Sequence, residues 1–356
     1  MFESVSNLSQ QEAKIISQSV SDGLGTGDYI VGRESELQAI MERIQNAKSD
    51  LSRGSTVFVV GDNGRGKTKF IEAIANTVRD ELGDIVSCFS ISRERFFGTG
   101  TKELYCKFIN NLSERTKRNG AGLETLLQAF ISKIQRTMGA NSNIVEEGIC
   151  KVLEATEGKE INTAFAQVLG LYINAVSSGN ASLRQNTLKW IKGEYQQVRD
   201  ARADLGNKVD FIISDKTAIA MLKNWINLFS YIGKTTFLAI DEIQSLERLD
   251  DQPLQRNWDV IKDLYDASQK MKLVLIFTGT KKELLDKRKG LFSNRHLGSR
   301  LGGQPINDNA LADPHQALFE LKAISDPNIL LGYLDYLSDV RNIAAGRELP
   351  VSGEDK

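Results

Sequence analysis

One octapeptide constrains this chain more than any other: Gly61-Asp62-Asn63-Gly64-Arg65-Gly66-Lys67-Thr68. It lies between two segments of different periodicity. Before it, Ser55–Val60 reads STVFVV, the β-branched, apolar composition of a strand buried on both faces. After it, Phe70, Ile71, Ile74, Ala75 and Val78 recur at helical spacing. Glycines in such a loop let successive backbone N–H groups turn inward around an anion. The following helix adds the positive end of its dipole, and Lys67 adds a full charge. The octapeptide therefore predicts a strand–loop–helix that opens a parallel βαβ sheet and binds phosphate. Its candidate contacts are Gly61, Asp62, Asn63, Gly64, Arg65, Gly66, Lys67, Thr68 and Lys69.

The tripeptide Gly-Lys-Thr occurs a second time, at Gly233-Lys234-Thr235, and there the conditions fail. Leu228 stands where the first glycine is needed. The segment before it, TAIAMLKNWINLFSYIG, is helical in pattern, and the segment after it, TTFLAIDE, reads as a strand. Gly233 is better read as a helix C-cap, with Lys234 beside the negative helix end. The strand finishes in Asp241 and Glu242, at the carboxyl edge where parallel sheets place ligands. An acid there can hold Mg²⁺, and its neighbour can polarise water for attack on a γ-phosphate. The same two acids would also cap a following helix, IQSLERL. The intact loop upstream favours the catalytic reading.

Other segments build the frame. Ile30–Ala47 is helical in pattern, with Glu34 and Glu36 in its first turn. IVSCFSIS, from Ile85 to Ser92, reads as a second strand, and KLVLIFTGT as a further buried one. Between about Lys102 and Ile212 every segment is helical, which predicts a large insertion in the sheet domain. A helix around Trp258–Gln269 reads as exposed, and the tail from about Pro314 as mostly helical. Thr278 and Thr280 end a strand, where one of them contacts the γ-phosphate or the attacking water, or both simply form a Thr-Gly-Thr turn. Arg295 and Arg300 lie in the poorly periodic NRHLGSRLGG, as an arginine finger or as ordinary surface arginines. The division expected is 1–28 as a mobile segment, 29–101 and 213–312 as the two parts of the core, 102–212 as the insertion and 313–356 as a short helical lid.

Composition narrows the partners. A formal net charge of -1 over 356 residues supplies no global field for nucleic acid or an anionic membrane. DNA contact would need a local patch, such as the basic run from Lys281 to Gly290 with Lys287, Arg288 and Lys289; the other reading is a solvated helix face. Phe96-Phe97 beside Arg93 and Arg95 reads as packing. Three cysteines without a Cys-x-x-Cys pair argue against a disulfide framework, and two histidines against a His-rich zinc site. The amino-terminal residues lack the basic and apolar regions of a signal peptide, and no apolar run reaches membrane-span length. A cytoplasmic protein with no membrane partner is expected.

The order IVGRESEL, GDNGRGKT, FLAIDE, IFTGT, GSR resembles an AAA+ ATPase of the initiator and STAND-like branch. The resemblance implies that Gly32, Arg33 and Glu34 sit near the adenine, that Asp241 and Glu242 are the Walker B pair, that a threonine after the next strand is sensor 1, and that Ser299-Arg300 carries the arginine finger. RERFFGTGTKELYCKFINNL, LKWIKGEYQQ, FLAIDEIQSLERL, LIFTGTKKELLDKRKGLFS and LGSRLG are similar to landmarks of the ATP-binding proteins of BREX-type phage-defence islands. That likeness spans roughly residues 30 to 303. It implies an α/β fold: a parallel-sheet P-loop (AAA+) core with a large helical insertion and a short helical C-terminal lid.

It also implies ATP and Mg²⁺ as ligands, hydrolysis of ATP, and a homo-oligomer promoted by ATP. Partners would be defence proteins of helicase or nuclease type, with DNA through the basic patch. A winged-helix DNA-binding domain often follows in this branch; the short tail leaves little room for one, and only Arg341 and Arg347 are candidates for sensor 2. Two other readings are a slow-turnover nucleotide-gated switch and a small-molecule kinase. The distal acid pair, the insertion and the Ser-Arg box disfavour the kinase.

Overall fold

The protein is described from a computed structural model. It describes residues 33–49, 54–62, 65–82, 85–88, 101–114, 122–138, 142–153, 159–206, 209–241, 243, 251–284, 289–290, 318–321, 334, 338, 340–343 and 345–346. The expectations on the 1–28 segment, Gly32, Asn63, Gly64, Arg93–Phe97, Glu242, Lys287, Arg288, Arg295, Arg300 and Arg347 lie outside the described residues.

The strands are β1 (Ser55–Val60), β2 (Ile85–Cys88), β3 (Thr235–Ile240), β4 (Leu273–Gly279) and β5 (Leu318–Glu320). They form one sheet of order β2-β3-β4-β1-β5, and every pairing is parallel. The helices are α1 (Glu34–Ser49), α2 (Lys67–Leu82), α3 (Thr101–Glu114), α4 (Leu123–Met138), α5 (Ser142–Leu153), α6 (Lys159–Ser178), α7 (Ala181–Ile191), α8 (Val198–Leu205), α9 (Ala218–Tyr231), α10 (Asp251–Ser268) and α11 (Lys281–Leu284). Seven of them, α3 to α9, fall between β2 and β3 and form a helical insertion; the last, α9, lies beyond the 102–212 span expected from sequence.

The period of two in the strands sorts the core into two layers. Phe58, Val60, Leu238, Ile240, Leu273, Leu275 and Phe277 face the insertion helices and α10. Val57, Val59, Phe237, Ala239, Val274, Ile276 and Phe319 face α1 and α2, against Ile40, Ile44, Phe70, Ile74 and Val78. The register agrees, with Val57 beside Ile276 and Phe58 beside Phe277, whose rings stack at 5.0 Å. Covered on both faces, β3 and β4 are buried along their whole length, as parallel strands require.

The insertion is not a separate globule. Leu104, Phe108, Phe165, Trp190, Trp225 and Phe229 belong to the same apolar cluster as the sheet residues. A buried polar chain ties it together: Trp225 Nε1 donates to the Tyr105 hydroxyl (3.0 Å), which donates to Ile191 O (2.7 Å). The Trp225 indole also meets Phe165 edge-on at 5.1 Å.

Two sequence expectations change. The helix expected to be exposed is α10, and Leu254, Trp258, Ile261, Leu264 and Ala267 bury one face of it. Its charged residues, Asp259, Lys262, Asp263 and Asp266, had suggested exposure because they occupy the other face. The tail, expected to be helical, supplies β5, which pairs with β1 through Phe58↔Leu318, Val59↔Phe319 and Val60↔Glu320. Three residues carry no periodicity of their own. Arg43 of α1 lies over the Phe319 ring at 5.3 Å and covers this edge. In the tail, residues 340–343 are helical, Arg341 among them.

The second Gly-Lys-Thr is a helix stop. Gly233 has φ +84, its N–H donates to Ser230 O (2.9 Å), and Lys234 N–H donates to Phe229 O (2.8 Å). This pair of bonds is a Schellman motif closing α9. An alanine at Gly233 finds open space but the wrong backbone region. Gly233→Ala should cost about 1 kcal/mol, read as a lowered urea midpoint, and leave ligand binding unchanged.

Candidate functional site

The loop after β1 is held by its neighbours on both sides. Gly61 N–H donates to Gly279 O (3.2 Å), and Leu321 N–H donates to Val60 O (2.7 Å). A Cβ on Gly61 would stand 2.9 Å from the Leu321 carbonyl oxygen, so the close approach of β5 requires glycine there. Gly66 has φ +78 with nothing near its missing Cβ, so its glycine is needed for backbone conformation alone. Phe70 N–H donates to Gly66 O (2.8 Å), so the helical ladder of α2 starts at that glycine. Arg65 pairs with Asp62 across the turn at 3.7 Å.

Lys67 is buried, and its ammonium reaches back to donate to Gly61 O (2.9 Å) and Asp62 O (3.0 Å). The positive charge is thereby fixed at the mouth of the loop, beside the amino end of a 16-residue helix. Positive charge and helix dipole coincide there, which suits a polyanion.

β3 delivers Asp241 to the same place. Its carboxylate is buried and accepts two side-chain hydroxyls: Thr68 Oγ1 on Oδ2 at 2.6 Å, and Thr278 Oγ1 on Oδ1. Strand order explains the trio. β4 lies between β1 and β3, so its last residues separate the loop from the acid, and Thr278 fills that gap. Thr280, also buried, accepts the Leu284 N–H (3.0 Å) and starts α11. Alternation puts Thr278, in register with Val59, and Asp241, two residues after Ala239, on the α2 side of the sheet.

Of the residues predicted from sequence, the structure thus brings together Gly61, Asp62, Arg65, Gly66, Lys67, Thr68, Asp241 and Thr278. Lys69 lies in the first turn of α2. Arg33 is buried at the start of α1, where it pairs with Glu36 at 3.0 Å. The sequence reading missed Lys281 and Glu320, which form an ion pair at 2.7 Å beside the loop. Glu320 had no signal, because β5 itself was read as helix. Lys281 had been placed in the basic run.

The hard-oxygen donors present, one hydroxyl and one carboxylate, suit Mg²⁺, which binds few protein oxygens and completes its shell with phosphate and water. Among the described residues no group of three or more His, Cys, Asp or Glu could cage a metal by itself. Among them, too, no helix is long and apolar enough to cross a membrane. Cys106 and Cys150 are not joined in a disulfide.

A family model described as "BREX system ATP-binding protein BrxC/D" matches residues 9–354. No curated protein and no solved structure matches the chain.

Proposed function

Because the chain belongs to the BREX system ATP-binding protein BrxC/D family, an ATP-binding component of a defence system, we propose that it hydrolyses ATP and works as an ATP-built oligomer. The observation that carries this reading is the convergence of Thr68, Asp241 and Thr278, from three different elements, on one edge beside Lys67. A site that only held phosphate would need the loop and the lysine. The buried acid and its two hydroxyl partners are what hydrolysis adds.

In this reading, the backbone of Gly61–Thr68 and the Lys67 ammonium hold the triphosphate and offset its charge. Thr68 and Asp241 would hold Mg²⁺, which when bound neutralises charge building on the phosphate oxygens. Thr278 orients the Asp241 carboxylate from the far side, and that contact makes it the sensor candidate. Glu242, next in sequence to Asp241, takes the proton of the attacking water. Arg300, contributed by a neighbouring subunit, stabilises the charge that develops on the transferred phosphoryl group. By the family resemblance, Gly32, Arg33 and Glu34 would serve the adenine. Helicase- or nuclease-type defence proteins would read the assembled state.

The test combines phosphate release with molar mass by light scattering. Wild type with Mg-ATP should release phosphate and gain mass. Glu242→Gln should keep ATP, release phosphate at least ~100-fold more slowly and stay assembled, the loss expected when a residue that positions and deprotonates water is removed. Arg300→Ala should lose both assembly and turnover. A wild-type protein that stays monomeric and releases no phosphate with ATP bound would reduce the reading to nucleotide binding alone.

A further inference from the structure

Lys281 and Glu320 flank the loop's first residue from opposite sides, and the loop and acid trio do not account for them. Lys281 follows β4, while Glu320 ends β5 in register with Val60. β1 runs between those two strands. Lys281 Nζ donates to both carboxylate oxygens of Glu320, at 2.7 and 2.8 Å. One ion pair therefore spans the strand that feeds the phosphate loop.

The backbone below this pair grips Gly61 from both sides. Leu321, next after Glu320, donates its N–H to Val60 O and presses its carbonyl on the place where a Gly61 side chain would be. Lys281 N–H approaches Gly61 O at 3.4 Å, and Gly279 O accepts the Gly61 N–H. That same Gly61 oxygen is one of the two carbonyls holding the Lys67 ammonium. A continuous path of contacts runs from Glu320 to Lys281, to the Gly61 carbonyl, to Lys67.

We propose that the Lys281–Glu320 pair is a brace that positions Gly61, and through it the Lys67 ammonium, for the phosphates of ATP; this rests on the reading of the loop as the nucleotide site. The pair acts through Lys67, so both members are positioning residues. The Lys281 ammonium donates to both Glu320 oxygens, which ties the end of β5 to the residue that follows the β4 edge across the loop. The pair is not what keeps β5 in the sheet. Lys281 is 42% exposed, so its attraction to Glu320 is screened. β5 is held instead by its backbone pairing to β1 and by buried Phe319. Loss of the brace should therefore show in affinity more than in stability.

The experiment uses the full chain and titrates ATP, with ADP in parallel, against wild type, Lys281→Met, Glu320→Gln, Lys281→Arg and the reversed pair K281E/E320K. Urea unfolding of each nucleotide-free protein serves as the stability readout. Each neutralised single variant is expected to bind ATP about five-fold more weakly, the scale of a well-oriented, partly exposed pair. Lys281→Arg and the reversed pair should recover to within about two-fold, and the urea midpoints should stay near wild type.

A Lys281 that touched phosphate directly would give a different pattern. Lys281→Met and the reversed pair would be weak, while Glu320→Gln would bind as well as wild type or better. That pattern overturns the brace, and so do single variants that all match wild type. A lowered midpoint with unchanged affinity makes the pair structural only and overturns it too. Wild type that does not bind ATP would overturn the reading of the loop itself, a result separate from any difference between the variants.

Discussion

Lys67→Ala is expected to weaken ATP binding by at least ~100-fold, since two charge-assisted hydrogen bonds to phosphate are together worth about 3 kcal/mol or more. The Gly61 and Asp62 carbonyls hold the ammonium in place at 2.9 and 3.0 Å. Little side-chain ordering remains for binding to impose, so the removed charge should be felt almost in full. Titration calorimetry on the variant measures it, with circular dichroism to show that the fold is intact. Lys234→Ala is the matched control. It alters the other Gly-Lys-Thr, which ends a helix, and should bind ATP as wild type does. Equal affinities for Lys67→Ala and wild type would remove the loop from the site.

The second large effect is on stability. Trp225→Ala should cost about 3–5 kcal/mol, because it empties a fully enclosed indole volume. It also takes the donor from the Tyr105 hydroxyl and the edge-on partner from Phe165. Trp225 lies in α9, which runs through the Gly233 turn directly into β3 and Asp241. The insertion and the sheet share one apolar cluster, so both should unfold together. In a urea series, loss of helical circular dichroism and loss of ATP binding should shift to the same lower midpoint. A variant that sheds helix while still binding ATP with the wild-type midpoint would show the insertion to be an independent unit.

How much of this was legible in the sequence depends on whether the signal is local. The loop and its lysine were legible because phosphate binding on a strand–helix turn demands glycine at fixed places and a cation beside it, all within eight residues. Rejection of Gly233-Lys234-Thr235 was legible for the same reason, and the positive φ of Gly233 bears it out. Asp241 was placed at its strand end because a run of buried residues terminates there. The choice between Thr278 and Thr280 was not legible. Both stand at the end of the same apolar run, and only the position of β4 between β1 and β3 brings Thr278 to Asp241.

The failures have physical causes as well. α10 looked exposed because its acids and lysine stand out in the sequence, whereas five apolar residues at helical spacing make the contact with the sheet. β5 looked helical because three residues cannot establish a period. Its pairing with β1 lies more than two hundred residues away in the chain, and nothing local encodes that.

By itself the sequence determined the strand–glycine loop–helix at Ser55–Leu82, the strand that ends at Asp241, the helical character of the chain between β2 and β3, and the resemblance to a family that the family model then matched. These follow from backbone conformational demands and from apolar periodicity, both short-range properties. Tertiary structure alone decided which threonine meets Asp241, that the insertion shares its core with the sheet, and that Lys281 reaches Glu320 across β1. Each of those depends on the lateral order of strands, and that order is set by which faces can be covered together once the whole chain has collapsed.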